Sequence, residues 1–513
     1  MIALSKYKKN LTLFIITLAS MFLGFIRESF IVYKLGGGWE ADSFIFALNL
    51  PAVIFTSLGG LITTTFMPLY TDARINNSVK TANKFASKVL KNVVLICLSI
   101  VVLFEVFPQI LVSILAPGFY GETYKNVIMF TRIVLPSIIF LGVAYTFAGV
   151  VQSYKKILAV SAMQIPTHII IILSLVVIYP MFGIEAAVLM IIIAMFSQAL
   201  FMYTNAKKVS FVYHKRTTGT SRYTKRLLRM IGPMSIGVMT YQINMIVNSR
   251  LASRLGAGNI TAINLANKIN MASYSALGFL VVLFLYPVLS EYAAKKDFEN
   301  IIKALEKGIL LIVFLMLPVT VIICFFSKDI VSILFGYGKF KRENIELTSG
   351  ILIYYSLGIV FLGIKDMLNR VFYSLKDTEI SMINGIVTII VNLALSLILM
   401  KVIGASGLAL AYTISVVVSV ILLFKSLKNF NMKINYSHFL VEITKIIVSS
   451  GVMVLFLYLQ GVLFNFNLTS KLEILLKIGG VTIISSTIYL SMLYLLRFEY
   501  LSSIINSKIN KFK

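Results

Sequence analysis

The sequence predicts an all-α polytopic membrane protein with about 14 transmembrane helices, in which two pseudo-symmetric six-helix lobes precede two C-terminal helices. Three observations lead to this fold class. Apolar segments long enough to cross a bilayer recur along the whole chain, basic residues concentrate in the loops between them, and short strings of residues recur at a nearly constant spacing.

The composition is that of a membrane protein. Of the 513 residues, 58% are hydrophobic and only 13% are charged, and the mean hydropathy is +0.91. An ordinary soluble domain is about half apolar and about a quarter charged. A soluble protein of this length is therefore excluded, because the chain has too few polar residues to cover its surface.

The net charge of +27 comes from 47 lysines and arginines against 20 aspartates and glutamates. Nucleic-acid-binding proteins can show such an excess, but here the basic residues form short clusters beside apolar segments, and no nucleic-acid-binding motif is present. Loops that flank transmembrane helices on the cytoplasmic side have this composition. We therefore expect a membrane protein with no nucleic-acid partner.

The predicted helices correspond to apolar segments that approach or exceed the about 20 residues required to cross a bilayer. In order, these segments are 11–33, 42–69, 89–111, 127–151, 157–179, 184–205, 227–250, 260–289, 305–326, 347–372, 380–401, 405–425, 440–463 and 473–496. The strands of a membrane barrel would be shorter and would alternate strictly between apolar and polar residues, and these segments do not alternate.

The loop charges predict the orientation of the chain. Basic residues crowd alternate loops, most densely in 70–91 and 206–229, and the loops between them carry fewer. Because cytoplasmic loops are enriched in lysine and arginine, we expect both termini to face the cytoplasm. That arrangement requires an even number of spans, which agrees with the predicted count.

An internal repeat relates the two halves. The string Lys34–Gly38 recurs as Arg254–Gly258, 220 residues later, and Val112–Leu115 recurs as Val331–Leu334, 219 residues later. An even number of helices in each repeat returns the chain to the same side of the membrane. We therefore expect two lobes in parallel topology, related by an axis along the membrane normal, with a central cavity between them.

The repeat predicts four regions along the chain. Residues 1–205 form the N-lobe with helices 1–6, and 206–226 form a basic cytoplasmic linker. Residues 227–430 form the C-lobe with helices 7–12, and 431–513 contain helices 13 and 14 with a basic C-terminal tail.

Charged side chains inside membrane spans are energetically costly, so they commonly mark a transport path or a binding site. The predicted substrate-binding residues are Arg27, Glu28, Asp42, Asn49, Asn267 and Lys268, in helices 1, 2 and 8. Arg27 offers a planar pair of donors to phosphate oxygens, and Lys268 adds a mobile point charge. The alternative interpretation is a structural ion cluster of Arg27, Glu28 and Asp42 that fixes helices 1 and 2.

Helix 10 carries the candidates for coupling or gating. Asp366 is placed to bind a coupling cation, either sodium or a proton, with the membrane potential as the alternative driving force. Arg370 lies near the cytoplasmic end, where snorkelling to the interface is the alternative to gating. The sequence contains no Walker A loop, no arrangement of catalytic residues and no metal-binding motif, so we expect a transporter without cofactor or metal rather than an enzyme.

Several motifs resemble the MurJ (MviN) family of lipid II flippases, in the multidrug, oligosaccharidyl-lipid and polysaccharide exporter superfamily. The most specific matches are Gly24–Glu28 followed by Ala41–Phe44, and Arg370–Thr378. Ala116–Phe119 and Gly404–Ala411 also resemble family motifs, and the resemblance spans residues 5–430.

The resemblance implies a flippase of the bacterial inner membrane that moves an undecaprenyl-diphosphate-linked disaccharide-peptide to the outer leaflet by alternating access. It implies substrate binding by Arg27, Asp42 and Lys268, a groove for the lipid tail between helices 13 and 14, and contacts with membrane lipids and the cell-wall synthesis machinery. Met21, Phe55 and Met271 stand at positions where the family often has charged residues. These departures imply a less charged cavity and keep a different lipid-linked saccharide open as the substrate.

Three other functions remain open from the sequence. The first is a flippase for a capsule, O-antigen or teichoic-acid saccharide on the same carrier. The second is a cation-coupled drug exporter, and the third is a non-transporting scaffold for wall enzymes. A drug exporter would favour an acidic cavity, whereas Arg27 and Lys268 suit an anionic substrate.

Overall fold

A computed structural model describes residues 2–61, 65–217, 222–229, 246–375, 377–430, 436–463, 470–499 and 501. All regular secondary structure in these ranges is helical. The all-α fold class predicted from the sequence is therefore confirmed.

Ten helices occupy the chain up to residue 208. They are α1 (Ile2–Leu35), α2 (Trp39–Leu61), α3 (Met67–Asn76), α4 (Val79–Val106), α5 (Pro108–Leu115), α6 (Gly121–Val134), α7 (Ser137–Ser153), α8 (Ile157–Ser161), α9 (Ile165–Leu173) and α10 (Tyr179–Lys208). A π-helical turn, Ser174–Ile178, joins α9 to α10. Residues 222–229 and 246–253 are also helical.

Nine further helices follow. They are α11 (Asn259–Ser273), α12 (Phe279–Ala294), α13 (Phe298–Phe335), α14 (Arg342–Ser356), α15 (Ile359–Ser374), α16 (Thr378–Ile403), α17 (Ala405–Leu427), α18 (Tyr436–Leu463) and α19 (Lys471–Leu495). A second π-helical turn, Tyr274–Gly278, joins α11 to α12.

Local side chains begin several of these helices. The side chains of Ser78, Asp297, Asp377 and Ser470 each accept a hydrogen bond from the backbone N–H three residues later, at 3.1–3.3 Å. A short polar side chain in this position satisfies one of the N–H groups that the first helical turn leaves unpaired. These caps fix the starts of α4, α13, α16 and α19.

The membrane spans agree with the sequence prediction. Within the described ranges, nine helical segments are long and apolar enough to cross a bilayer, and two bent pairs, α6 with α7 and α14 with α15, raise the number to 11. The segment 157–208 has 52 residues, about twice what one crossing requires, and its backbone turns at Gly183 (φ 79°, ψ −176°). This turn separates the predicted spans 157–179 and 184–205. The predicted spans 42–69 and 227–250 are not among these 11, and residues 62–64 of the first and most of the second lie outside the described residues. The structure is therefore consistent with 14 spans.

The chain folds into two compact units. The first comprises Met1–Thr261 and Tyr337–Lys341, and the second comprises Ala262–Gly336 and Arg342–Lys513. In the first unit, fully buried Phe66 packs against Tyr70 and Phe85, with ring centroids 5.6 and 5.4 Å apart. The second unit has a hydrophobic core of α12, α13, α15 and α17 side chains, extended by α18 and α19. The boundaries predicted from the repeat remain a prediction.

Part of the basic linker is fixed to α4 in the first unit. The Asn83 amide donates to the Ser210 carbonyl at 2.9 Å and accepts from the Tyr70 hydroxyl at 2.8 Å. The His214 N–H donates to the Ser87 hydroxyl at 3.0 Å. Because Asn83 and Ser87 are both buried, these bonds hold the linker backbone against the helix instead of leaving it in solvent.

The turn between α16 and α17 explains one sequence motif. Gly404 has a positive φ (φ 59°, ψ −137°), which only glycine adopts readily. A Cβ at Gly407 would overlap the backbone of Leu399, so the two helices approach each other closely there. The string Gly404–Ala411 thus encodes a tight helical hairpin.

Candidate functional site

Arg27 is held inside α1 by the carboxylate of its neighbour. Its Nη2 lies 2.5 Å from Oε1 of Glu28, and the two side chains are 12% and 1% exposed. Its Nη1 lies 3.4 Å from Nδ1 of His168 on α9. Its buried Nε has no hydrogen-bond partner among the described residues. The guanidinium is therefore largely withdrawn from solvent, and one of its donors is unsatisfied among the described residues.

Asp42 has a different environment from Arg27. Its carboxylate is fully buried and accepts hydrogen bonds from the Gly258 N–H at 2.6 Å, the Thr261 N–H at 2.8 Å and the Thr261 hydroxyl at 2.6 Å. These donors stand at the beginning of α11, where unpaired N–H groups and the helix dipole favour a negative charge. Asp42 thus binds the start of α11, while Arg27 pairs with Glu28.

Asn49 lines a small cavity in the first unit. The cavity is mainly apolar, and Asn49 and Ser249 are its polar side chains. Its walls are Phe46, Asn49, Leu50, Val53, Leu115, Ile246, Ser249 and Ile260. Asn49 lies two turns after Asp42 on α2, so both residues belong to the part of that helix near α11.

Asn267 and Lys268 lie on the part of α11 that belongs to the second unit, and both are half-buried. Two turns later, Tyr274 donates a 2.6 Å hydrogen bond from its hydroxyl to Oδ2 of Asp366 on α15. This short bond fixes the position of the Asp366 side chain. Asp366 is thereby linked to the helix that carries Lys268.

Arg370 lies one turn after Asp366 and has an aromatic environment. Its guanidinium carbon is 5.1 Å from the ring centroid of Tyr286 and 5.9 Å from that of Tyr373. Cation–π contacts at these distances stabilise a guanidinium. Asp366 and Arg370 thus lie one turn apart on α15, and each contacts tyrosine side chains of the second unit.

Sequence analysis missed His168 and Tyr274 as members of these groups. His168 is 6% exposed and stands in the apolar segment 157–179. An ionisable side chain inside a span was the available signal, since such residues are rare there. Tyr274 had no such signal, because tyrosines are frequent in this chain, with 25 in total.

The apolar replacements of charged family residues have separate environments. Phe55 is 1% exposed and stacks on Tyr145 with ring centroids 5.9 Å apart. Met271 is half-buried on α11, and Met21 is exposed on α1. Phe55 thus contributes to core packing. Among the described residues, no group of three or more His, Cys, Asp or Glu side chains could hold a metal ion.

Comparison with known proteins finds relatives over most of the chain. The family model described as "Lipid II flippase MurJ" matches residues 31–477. A protein from Rickettsia prowazekii (strain Madrid E) named "Probable lipid II flippase MurJ" is 26% identical over 419 residues, which cover 80% of this chain and 81% of that protein.

Solved structures share the fold. A structure described as "Lipid II flippase MurJ, inward closed conformation" has a TM-score of 0.81 at 23% identity and covers 94% of this chain and 98% of its own. An inward-facing multidrug resistance MATE family transporter of the MOP superfamily has a TM-score of 0.69 at 17% identity, with 81% of this chain and 98% of its own covered. Chains with low sequence identity therefore adopt the architecture described above.

Proposed function

The chain belongs to the lipid II flippase MurJ family, and we propose on that basis that it moves lipid II from the cytoplasmic to the outer leaflet by alternating access. Lipid II is the undecaprenyl-diphosphate-linked disaccharide-peptide that serves as a cell-wall precursor. The observation that supports this role in the site itself is the nearly buried Arg27 guanidinium, of which only part is engaged by Glu28. A multi-pass membrane protein with such a group has the chemistry to bind a diphosphate.

Arg27 and Lys268 are the residues we assign to the diphosphate. Glu28 occupies one edge of the Arg27 guanidinium and neutralises its charge, so the remaining N–H groups contribute directed hydrogen bonds. Lys268 adds an ammonium group as a second donor to the phosphate oxygens. Asn49 and Asn267 offer amide donors and acceptors to the sugar or peptide groups. In this proposal Asp42 acts on the substrate indirectly, because it holds the start of the helix that carries Asn267 and Lys268.

Alternating access requires a driving force, and we assign its coupling to Asp366. Its hydrogen bond to Tyr274 connects α15 to the turn that follows α11, so a cation or proton that competes for the carboxylate would change this connection. Transport of lipid II in proteoliposomes under imposed sodium, proton or voltage gradients tests this role. Asp366→Asn is expected to lose the dependence on one gradient, and retained dependence would contradict the assignment.

The orientation in this proposal places both termini and the linker in the cytoplasm of a bacterial cell. The supporting observation is the excess of exposed lysines and arginines in the linker, which includes Lys207, Lys208, Lys215 and Arg216. The partners are lipid II and the surrounding membrane lipids, and enzymes of cell-wall synthesis supply and consume the substrate.

The decisive experiment is complementation of a bacterial strain depleted of its lipid II flippase. The parent chain and Arg216→Ala, which removes an exposed arginine of the linker, should both restore growth. Arg27→Ala should fail at an equal protein level in the membrane. Rescue by Arg27→Ala would refute the site. Failure of the parent chain, combined with restored export of only a surface polysaccharide in a strain that lacks that exporter, would indicate another undecaprenyl-linked substrate.

A further inference from the structure

His168 contacts the guanidinium that the proposed site depends on. It projects from α9, and its Nδ1 lies 3.4 Å from Nη1 of Arg27, although the two residues are 141 positions apart in the chain. The imidazole is 6% exposed. One turn before Arg27, a Cβ at Gly24 would lie 3.4 Å from Nε2 of His168, so the imidazole packs directly on the backbone of α1.

The chemistry of the two groups defines how they interact. An arginine side chain has five N–H donors and no acceptor. For Nη1 of Arg27 to donate to His168, Nδ1 carries the lone pair and the imidazole proton lies on Nε2. A protonated imidazole would place two cations at this distance in a site with little solvent.

We propose that His168 is a positioning residue that orients Arg27 for the diphosphate. Glu28 binds Nη2 from one side and His168 accepts from Nη1 on another, so the guanidinium plane is fixed by two elements, α1 and α9. This proposal rests on the proposed function and adds to it a group that does not touch the substrate. Without His168, the guanidinium would swing around the Glu28 contact and meet the phosphate oxygens less often in the bidentate geometry.

Three substitutions at one position separate orientation from packing. His168→Asn places an acceptor oxygen on Cγ, where Nδ1 was, and should bind lipid II within about twofold of the parent chain. His168→Gln carries its amide one carbon further out, near the place of Nε2, and His168→Leu has no acceptor. Both should weaken lipid II binding about fivefold to tenfold. This is the effect expected from the loss of one long hydrogen bond, 3.4 Å, to a charged group.

The measurement is titration of lipid II into the purified full chain in nanodiscs, with thermal unfolding of every variant as the check on folding. The same His168→Leu change in an Arg27→Ala background should have no further effect on binding, because the group that His168 orients is gone. This coupling distinguishes positioning from a general loss of packing.

Each other outcome has a defined meaning. If Arg27→Ala weakens binding and His168→Leu does not, the positioning role is wrong and the proposed function stands. If all three His168 variants weaken binding equally, the residue is structural and the proposal is overturned. The same conclusion follows if His168→Leu weakens binding as much in the Arg27→Ala background as it does in the parent chain. If Arg27→Ala itself binds lipid II as the parent chain does, the assignment of Arg27 to the substrate fails, and the inference on His168 fails with it.

Discussion

The carboxylate of Asp42 accepts three hydrogen bonds, all from residues 258–261. A carboxylate with its lone pairs engaged in this way has little capacity left for a substrate. Because the carboxylate binds the N–H groups at the N-terminus of α11, it determines where that helix begins. The hydrogen bonds to Gly258 and Thr261 give a physical reason for an acid at this position.

This environment predicts that Asp42 contributes mainly to stability. Asp42→Ala should lower the free energy of unfolding by about 2–3 kcal/mol, since it leaves buried N–H and hydroxyl donors without an acceptor. Asp42→Asn retains one acceptor oxygen, so it should lower the free energy of unfolding by less than Asp42→Ala does. Thermal unfolding in detergent, combined with lipid II binding, is the measurement. Thr261→Val removes one donor and serves as the matched change on the other side of the bond.

An Asp42→Ala protein that unfolds like the parent chain but no longer binds lipid II would contradict this prediction. The side chain would then act on the substrate, as the sequence comparison with the family implied.

At the residue scale, the sequence indicated a contact where the signal was local. Arg27 and Glu28 are adjacent and ionisable inside an apolar segment, so they were candidates without a structure, and they do pair. Contacts across long stretches of chain had no such signal. Asp42 meets Thr261 across 219 positions and Arg27 meets His168 across 141. Neither spacing follows from helical periodicity, because it depends on which helices pack together.

Element boundaries were largely predictable because apolar length determines a membrane helix. The predicted span 380–401 lies within α16, and 405–425 lies within α17. The bends were less predictable. The helix pair α6 and α7 bends by 44° at Pro136, and the pair α14 and α15 bends by 41° beside Gly358. Proline commonly kinks a helix, so Pro136 is a sequence signal for the first bend. A glycine in an apolar segment, such as Gly358, does not predict a bend in the same way.

At the scale of elements, the linker is a docked segment. Besides the contacts of Asn83 and Ser87, the Tyr223 hydroxyl donates to Oδ1 of Asn77 at 3.0 Å, and the Tyr223 ring packs on Phe85 with centroids 5.6 Å apart. The basic residues of the linker stay exposed while its polar backbone and aromatic groups bind α4 and the turn before it. Sequence alone predicted its charge, whereas its docking depends on the distant Asn83.

Removal of the Asn83 amide should release this segment. Asn83→Ala leaves the Ser210 carbonyl and the Tyr70 hydroxyl without this partner. The free energy of local opening of the linker should fall by about 1–3 kcal/mol. Trypsin should then cleave within 206–229 about tenfold faster in the native protein, because local opening controls proteolysis. Asn76→Ala is the matched control, since Asn76 bonds to Asp72 at the surface. Equal cleavage rates for both variants would show that Asn83 does not hold the linker.

At the scale of the whole molecule, the internal repeat reappears in two contacts of the first unit. In the first contact, the turn after α5 meets residues 250–253. The Gly118 N–H donates to the Ser253 hydroxyl at 3.0 Å, and Nη1 of Arg250 donates to the Ile114 carbonyl at 3.2 Å. We name this contact the first clasp.

The second clasp is the counterpart of the first at the repeat spacing. The turn after α13 meets the end of α1, where the Lys339 N–H donates to the Tyr33 carbonyl at 3.0 Å. The Lys339 ammonium also donates to the Tyr179 hydroxyl at 3.1 Å and lies 3.9 Å from the Glu40 carboxylate. The hydrogen bond to Tyr179 and the charge of Glu40 raise the pKa of Lys339.

Both clasps require a glycine because backbone meets backbone. A Cβ at Gly118 would overlap the Ser253 carbonyl, and one at Gly338 would overlap the Tyr33 carbonyl, where φ is also positive at +61°. Gly118→Ala and Gly338→Ala should therefore each weaken their own clasp by about 1–3 kcal/mol. Gly451→Ala, where a Cβ would meet no atom within 4 Å, is the matched control.

The final prediction asks whether the two clasps open together. A cysteine introduced by Ser253→Cys reports on the first clasp, because Ser253 is 2% exposed under Gly118; the native Cys97 and Cys324 are first replaced by serine. If alternating access is a two-state change that releases both clasps, Gly338→Ala should raise the rate of maleimide labelling at residue 253 about tenfold, although it disturbs only the second clasp. If labelling rises with Gly118→Ala and stays at the control level with Gly338→Ala, the clasps open independently. The repeat would then describe the ancestry of the fold without coupling its two halves.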